Sequence, residues 1–349
     1  MAAARGRDVI VIGTSAGGLG ALDSLVGSLP AGLPASIFVV QHLAPESLGS
    51  ALEYRLGKHK AFRTKLAQDG EVFAPGTIYV APPDFHLLVK AKKVLVTKGA
   101  RENRSRPGID PLFRSAAVSH GPRVIGVLLT GMLDDGTAGL LAIKKCGGVT
   151  VVQDPKDAAY PDMPQSAIDN VEIDFCVPVA AMGPLLDELS RQRPGKKRPV
   201  PIDIETEAAI AERVLSDVEQ VGTLGEQVPY NCPNCGGVLW EMKTADLQRY
   251  RCHTGHSFTD LSLLVSQTEK VEETLWICLR MLEERKNLLA KMSRSEKGRS
   301  DSRSTYARAR ETQQHIDRIR AILLAPPPGL AAAPKGPRTH VKRARRANR

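Results

Sequence analysis

Between residues 8 and 192 the spacing of apolar positions changes period repeatedly. The short apolar runs DVIVI (8–12), SIFVV (36–40), GTIYVA (76–81), VIGVLLT (124–130), GVTVV (148–152) and EIDFCV (172–177) are rich in β-branched residues, as expected of strands buried on both faces. Between them, residues 17–28, 47–57, 110–120 and 136–146 carry apolar side chains at helical spacing, which gives each segment one buried face. This alternation predicts an α/β domain built on a doubly wound, mostly parallel sheet covered by helices. The stretch 77–97 departs from the pattern, because LLVKAKKVLV reads as a local hairpin inserted into the sheet.

The pattern stops at RQRPGKKRPVP (191–201), which is charged, rich in proline and devoid of core residues. The expected organisation is therefore a first domain over 1–192, a linker over 193–204, a helical and zinc-ribbon-like extension over 205–325, and a disordered basic tail over 326–349. The extension is predicted to hold a helix near 205–221, a cysteine-bearing segment at 229–258 and long helices at about 260–292 and 304–323. In VEETLWICLRMLEERKNLL the apolar residues recur every three or four positions, giving one face for packing or for a partner.

A hydrophobic content of 42% over 349 residues allows a sizeable core. No apolar run approaches the roughly 18 residues that span a bilayer. Residues 1–7 are too short and polar for a secretory leader, so no membrane span and a cytoplasmic location are expected. The net charge of +10 is concentrated at one end: residues 335–349 carry seven Lys and Arg and no acid, leaving +3 on the remainder. Such a tail suits an anionic partner, whether nucleic acid, lipid or acidic protein, or simple solvation.

Candidate chemistry begins where the first apolar run ends, in Gly13-Thr14-Ser15-Ala16-Gly17. Glycines permit a sharp strand-to-helix turn that would expose Ser15 at the end of a sheet as a nucleophile. The same residues also suit a tight turn with a helix-capping serine. A serine nucleophile needs a base, and His42 follows SIFVVQ at the carboxyl end of the second run. His86, after APPDF, could line the same crevice, whereas His59 and His120 sit in helix-like or loop contexts. The carboxylate that would orient the histidine is offered by Asp134 and Asp135 in VIGVLLTGMLDDG, with Asp84 and Asp110 as weaker candidates. A capping role suits each of these aspartates as well. The carboxyl ends of parallel strands line the crevice where open α/β sheets bind ligands. The chain order Ser, His, Asp differs from the Ser, Asp, His order of α/β-hydrolases.

The segments IGTSAGG, VVQHLAP, IYVAPPDFH, GIDPLF, TGMLDDG and QDPKDAAYPDMPQSAI, in this order over residues 8–190, resemble the catalytic domain of the chemotaxis protein-glutamate methylesterases, the CheB family. The resemblance implies that Ser15 is the nucleophile, His42 the base and Asp135 the orienting carboxylate, since members place that aspartate immediately before the glycine. It implies hydrolysis of glutamyl methyl esters on the helical cytoplasmic bundles of chemoreceptors, with deamidation of glutamines as a second activity, and no cofactor for catalysis. The oxyanion donors are expected at the backbone of Ala16 and Met132. Ala16 replaces a threonine common in the family, which removes a hydroxyl and keeps the backbone donor. Asp134 stands where many members have asparagine. Many members carry a receiver domain before the catalytic domain. Here the first strand begins near residue 8, which leaves no room for one and implies control by other means.

YNCPNCGGVLWEM supplies Cys232 and Cys235, and RYRCHTGHSF supplies Cys252 with His253 or His256 after sixteen intervening residues. This two-knuckle spacing suits a tetrahedral Cys3His structural zinc site. His256 is the expected fourth ligand, because His253 adjoins Cys252 and has awkward geometry for the same ion. Two other readings compete with the enzyme. A nucleotide-binding turn fits poorly, since Ser15 stands where the dinucleotide fingerprint needs its second glycine and no acid ends the second strand. A catalytically silent signalling scaffold keeping the methylesterase fold would leave Ser15, His42 and Asp135 without a role.

Overall fold

A strand buried on both faces must pair its backbone on both edges or lie at a covered edge. In the computed structural model of the chain, which describes residues 6–47, 49–213, 218–242, 247–295 and 301–325, the apolar runs lie within one parallel sheet, all buried except the half-exposed edge strand Phe175–Val177. The elements begin with β1 (Val9–Thr14), α1 (Gly18–Ser28), β2 (Ser36–Gln41), α2 (Gly49–Gly57), β3 (Arg63–Leu66), β4 (Thr77–Val80), β5 (His86–Lys90) and β6 (Lys93–Thr97). They continue with α3 (Ile109–His120), β7 (Val124–Leu128), α4 (Thr137–Lys145), β8 (Val149–Gln153), α5 (Asp162–Asn170), β9 (Phe175–Val177) and α6 (Val179–Arg191). Beyond these lie α7 (Ile202–Arg213), α8 (Val218–Leu224), β10 (Gly225–Asn231), β11 (Val238–Met242), β12 (Arg249–Cys252), β13 (Ser257–Thr259), α9 (Asp260–Ser295) and α10 (Asp301–Leu324).

The seven-stranded sheet has the order β3-β4-β2-β1-β7-β8-β9, and all its pairs are parallel. This is the α/β doubly wound architecture that the period changes predict. Side chains alternate between two cores, as the pleat requires. Val9, Val11, Phe38 and Val40 face α3, α4 and α5 through Leu112, Phe113, Leu140, Ile143 and Met163. Ile10, Ile12, Ile37 and Val39 face α1, α2 and α6 through Leu22, Leu25, Leu52, Leu56, Met182 and Leu186. The strand order reverses between β1 and β7, so the crevice at the switch point opens beside the carboxyl end of β1.

The structure corrects the hairpin. Strands β5 and β6 pair with each other antiparallel as a separate two-stranded sheet, held on α3 by Val89 N–H to Ser115 Oγ (3.0 Å) and Ser119 Oγ to the Val89 carbonyl (3.0 Å). It cannot enter the parallel sheet beside β4, because β4 already pairs with β2 on one side and β3 on the other. The edge strand β3 is missed by the apolar pattern, since its RTKL sequence is half-exposed and mostly polar.

The chain divides into two compact units, Met1–Gln267 and Thr268–Arg349. The first contains α7 and the antiparallel sheet β10-β11-β12-β13 as well as the parallel sheet. In the second, the remainder of α9 is tied to α10 by Arg320 with Glu283 (2.7 Å) and by Lys286 with Gln313 (3.0 Å). Among the described residues no helix is long and apolar enough to cross a membrane. The basic tail over 326–349 lies outside the described residues.

A buried ion cluster joins α3, α7 and β12. Arg114 donates to both oxygens of Glu102 at 2.8 Å and lies 3.3 Å from Glu207. Arg249 donates to Glu207 at 2.9 and 2.6 Å, and Arg251 reaches Glu207 at 2.8 Å and Glu102 at 3.1 Å. Burial alone would push the Glu207 carboxyl up, but Arg249, Arg114 and Arg251 outweigh it and hold it well below the usual carboxylate range. Removing one member leaves buried charge uncompensated. Glu207→Gln is therefore expected to lower stability by about 3–5 kcal/mol, measured by denaturant unfolding at neutral pH.

Candidate active site

Ser15 stands at the point where β1 turns into α1. Its N–H donates to the Thr130 carbonyl (3.0 Å), which also accepts the Thr14 hydroxyl (2.9 Å), so the β1 and β7 ends are tied together beneath it. Gly17 takes φ +75°, and a methyl group there would lie 2.9 Å from Ala159 Cβ, so the turn needs glycine at this position. His42 directly follows β2, with its N–H on the Thr14 carbonyl (3.1 Å). Gln41, just before it, donates to the carbonyls of Ser15 (2.8 Å) and His42 (3.0 Å), clamping the two strand ends in register.

The structure brings Ser15, His42 and Asp135 into one line. His42 Nδ1 lies 3.1 Å from Ser15 Oγ, and His42 Nε2 lies 2.8 Å from Asp135 Oδ2. An ionised carboxylate can only accept, so the imidazole proton resides on Nε2 and the Nδ1 lone pair faces the serine hydroxyl. Ser105 Oγ is the next polar atom, 3.4 Å from Nδ1.

Asp135 is almost completely buried, yet its carboxylate is well supplied with donors. Oδ2 accepts from Ile109 N–H (2.8 Å) as well as from His42. Oδ1 accepts from Asn103 Nδ2 (3.0 Å), Asp110 N–H (3.2 Å) and Gly136 N–H (3.0 Å). The first two N–H groups of α3 thus point at this carboxylate, a favourable place for an anion. Burial would push Asp135 up, but the His42 hydrogen bond and charge, with these donors, outweigh it and hold the pKa below the usual value. Asp110 plays the reciprocal part, accepting from Gly136 N–H (3.0 Å) and Gly139 N–H (2.6 Å) at the start of α4. Burial, followed by the charge of Asp135, pushes Asp110 up to about 7. The two neighbouring acids are therefore split, one held ionised and the other inclined to keep its proton.

Opposite Ser15 runs the loop after β7. A methyl group on Gly131 would lie 2.9 Å from Ser15 Cβ and 2.1 Å from Met163 Sδ, so only glycine lets this backbone pass. Leu133 takes φ +65° in the same loop. Among the described residues the N–H groups of Ala16 and Met132 have no hydrogen-bond acceptor. Met132, next to Gly131, and Tyr160, which lies against Gly17, are exposed.

The remaining sequence candidates lie elsewhere or act on the framework. His86 is buried, accepting from Gly108 N–H at Nδ1 (3.1 Å) and donating from Nε2 to the Ala100 carbonyl (2.9 Å). His59 pairs with Asp23 (2.9 Å). Burial, with nearby Arg123, pushes His120 down to about 4. Asp84 is engaged by Arg106 (2.6 Å) and Lys98 (3.0 Å). Asp134 points away from His42 and accepts from Thr259 Oγ1 (2.6 Å). Sequence reasoning missed Asn103, whose side chain bridges Asp135 and Asp110, and no spacing or composition signal marks it.

A second cluster lies in the antiparallel sheet. The ligand atoms of Cys232, Cys235, Cys252 and His256 all lie within 4.8 Å of one another. Each half is a knuckle: Cys232 N–H to the Gly237 carbonyl (2.7 Å) with Gly236 N–H to the Cys232 carbonyl (2.8 Å), and Cys252 N–H to the His256 carbonyl (3.0 Å) with Gly255 N–H to the Cys252 carbonyl (2.9 Å). Gly236 and Gly255 take φ +76° and +100°, which these turns require. A tetrahedral ion with metal–sulfur bonds of about 2.3 Å sets its ligands about 3.8 Å apart. Cys235 and Cys252 lie 3.7 Å apart, and Cys252 Sγ lies 3.5 Å from His256 Nδ1. The donor set fits a closed structural metal site. His253 is outside it, with its ring edge-on to Trp240 at 6.5 Å.

Comparison with known proteins covers the parallel-sheet portion. A family profile described as CheB methylesterase matches residues 10–186. The protein-glutamate methylesterase/protein-glutamine glutaminase 2 of Methanosarcina mazei is 39% identical over 184 residues, half of this chain and half of the relative. A putative protein-glutamate methylesterase/protein-glutamine glutaminase of Leptospira interrogans is 38% identical over 185 residues, covering 53% of this chain and 95% of the relative. The crystal structure of the Thermotoga maritima CheB methylesterase catalytic domain matches with a TM-score of 0.50 and 36% identity, over 52% of this chain and 98% of that one. The match thus spans about half the length of the M. mazei relative.

Asp134 supplies a pH test of this loop. Burial, opposed by the Thr259 hydrogen bond, raises its pKa to about 6. Between the ordinary carboxylate value and that pKa the folded state binds the extra proton, so Asp134 makes stability fall as pH rises from about 4 to 6. Asp134→Asn is expected to flatten that fall, read from denaturant midpoints across the window.

Proposed function

This chain belongs to the CheB methylesterase family, and we propose that its first compact unit hydrolyses glutamyl methyl esters on the helical cytoplasmic segments of chemoreceptors. Deamidation of glutamines by the same route is a second activity. The observation that carries this reading is the single imidazole between Ser15 Oγ at 3.1 Å and Asp135 at 2.8 Å. A silent scaffold would have no use for that alignment.

Ser15 Oγ attacks the ester carbonyl while His42 Nδ1 takes its proton. Charge then develops on the imidazole, and buried, ionised Asp135 stabilises it through Nε2–H. The carbonyl oxygen becomes an oxyanion, which accepts hydrogen bonds from the Ala16 and Met132 N–H groups. Collapse breaks the ester bond, and methanol leaves with the proton returned by His42. Water repeats the sequence on the glutamyl-serine ester, releasing the glutamate carboxyl and free Ser15. With a glutamine substrate the leaving group is ammonia and the remaining steps are unchanged.

The exposed apolar side chains of Met132 and Tyr160 beside Ser15 suit a helical substrate that presents one glutamyl side chain to the crevice. Cys232, Cys235, Cys252 and His256 would hold a structural zinc ion. With four protein donors the ion would be closed off, and it would contribute folding energy and no chemistry to the esterase. Unpaired cysteines fit the reducing conditions of a cytoplasmic setting.

Methanol release from methylated receptor cytoplasmic fragments is the direct assay. Ser15→Ala and Asp135→Asn are each expected to lower kcat by about a thousandfold or more, with the circular dichroism spectrum unchanged; undiminished release by Ser15→Ala would overturn the mechanism. Purified protein is expected to carry about one zinc per chain, lost in the Cys232→Ser, Cys235→Ser double variant; retention of the metal there would refute the site.

A further inference from the structure

Asn103 is the contact between the metal-bearing ribbon and the active-site carboxylate. Its single Nδ2 group donates to Asp135 Oδ1 at 3.0 Å and to Asp110 Oδ2 at 2.8 Å, consuming both of its hydrogens. It separates two buried acids that would otherwise repel, and it presents a dipole to the one that must stay ionised. The backbone that carries it is unusual, since Asn103 and Arg104 take φ +46° and +70°. Consecutive left-handed non-glycine residues persist only where surrounding structure holds them.

That surrounding structure is the ribbon. Asn103 N–H donates to the Ser257 carbonyl of β13 at 2.8 Å, and Glu102 bridges to Ser257 in parallel register. Ser262 Oγ lies 3.5 Å from Asn103 Oδ1. Thr259 and Ser262 cap one another at the start of α9, with Thr259 N–H to Ser262 Oγ (2.8 Å) and Ser262 N–H to Thr259 Oγ1 (3.2 Å). From that cap the Thr259 hydroxyl reaches Asp134, the residue before Asp135. Arg251 of β12 holds the Glu102 carboxylate from the other side and donates to the Gly255 carbonyl at 2.8 Å.

The metal donors frame these contacts. Cys252 ends β12 immediately after Arg251, and His256 immediately precedes Ser257. The knuckle that joins the two ligands is therefore the turn that sets where Arg251, Ser257 and Thr259 lie. We propose that Asn103 is a positioning residue for the Asp135–His42 pair and that the metal-closed knuckle of Cys252 and His256, through Ser257, Thr259 and Ser262, holds it in place. The ribbon thereby sets esterase output: with the knuckle closed Asp135 is fixed against His42, and with it open Asn103 loses its seat. This rests on the methylesterase reading for its consequence but not for its geometry.

The test uses the full chain carrying its zinc and two kinds of readout. The first is the proton NMR resonance of His42 Nε2–H together with amide exchange over residues 102–110; the second is kcat and KM for methanol release. Thr259→Val with Ser262→Ala is expected to speed amide exchange over 102–110 by about tenfold or more and to shift or broaden the His42 resonance. It should lower kcat about tenfold with KM within about twofold. Chelating the zinc from the unsubstituted protein is expected to reproduce these changes. Asn103→Ala should lower kcat similarly while leaving exchange in the ribbon unchanged. A His42 resonance and 102–110 exchange that stay as in the unsubstituted protein in both the double variant and the chelated protein would overturn the proposal. If the resonance responds but no methanol is released by the unsubstituted protein, the positioning role stands and the esterase reading fails.

Discussion

A carboxylate that must be ionised in a dry interior needs donors for its lone pairs, because desolvation otherwise returns its proton. Asp135 sets that requirement, and much of the surrounding architecture answers it. The first turn of α3 turns two N–H groups toward it, Gly136 supplies a third from the start of α4, and Asn103 and His42 supply side-chain donors. Asp110 repays the arrangement by capping α4 from α3, so each of two helices has its N-terminus satisfied by an acid belonging to the neighbouring element. His42 is held because its partner Asp135 is held.

This dependence explains why the active-site crevice and the buried ion cluster belong to one compact unit. Glu102 accepts from Arg114 and Arg251, and its neighbour Asn103 reaches Asp135, so a charge network on α3, α7 and β12 ends one residue from the active-site framework. Buried ion pairs contribute little net stability compared with apolar packing, but they punish misplacement of any member. Here they anchor Glu102, the residue directly before the left-handed pair Asn103 and Arg104.

The parallel sheet was legible because both-face burial demands continuous β-branched runs, and six of them appear in order. Edge strand β3 was not, because half-exposed polar residues carry no such demand, and the β5–β6 hairpin showed its pairing but not its place. Ser15, His42 and Asp135 were legible for a related reason: each follows an apolar run, and parallel strands deliver their carboxyl ends to one crevice. The choice between Asp134 and Asp135 rested on family resemblance rather than on the residues, and the structure shows the physical difference, with one acid facing His42 and the other facing Thr259.

Asn103 shows where sequence reading stops. An asparagine in ENRSRP has no periodic, spacing or motif signature, and its position depends on its N–H bond to the Ser257 carbonyl, more than one hundred and fifty residues away. The sequence by itself determined the strands, the helices, the residues able to relay a proton and the spacing of four metal donors, because these follow from local period and from short-range spacing. Only the tertiary structure decided which aspartate meets the histidine, where the hairpin lies and that the ribbon touches the active-site framework. Those outcomes depend on which buried polar groups find partners once distant segments pack together, and no local pattern encodes that.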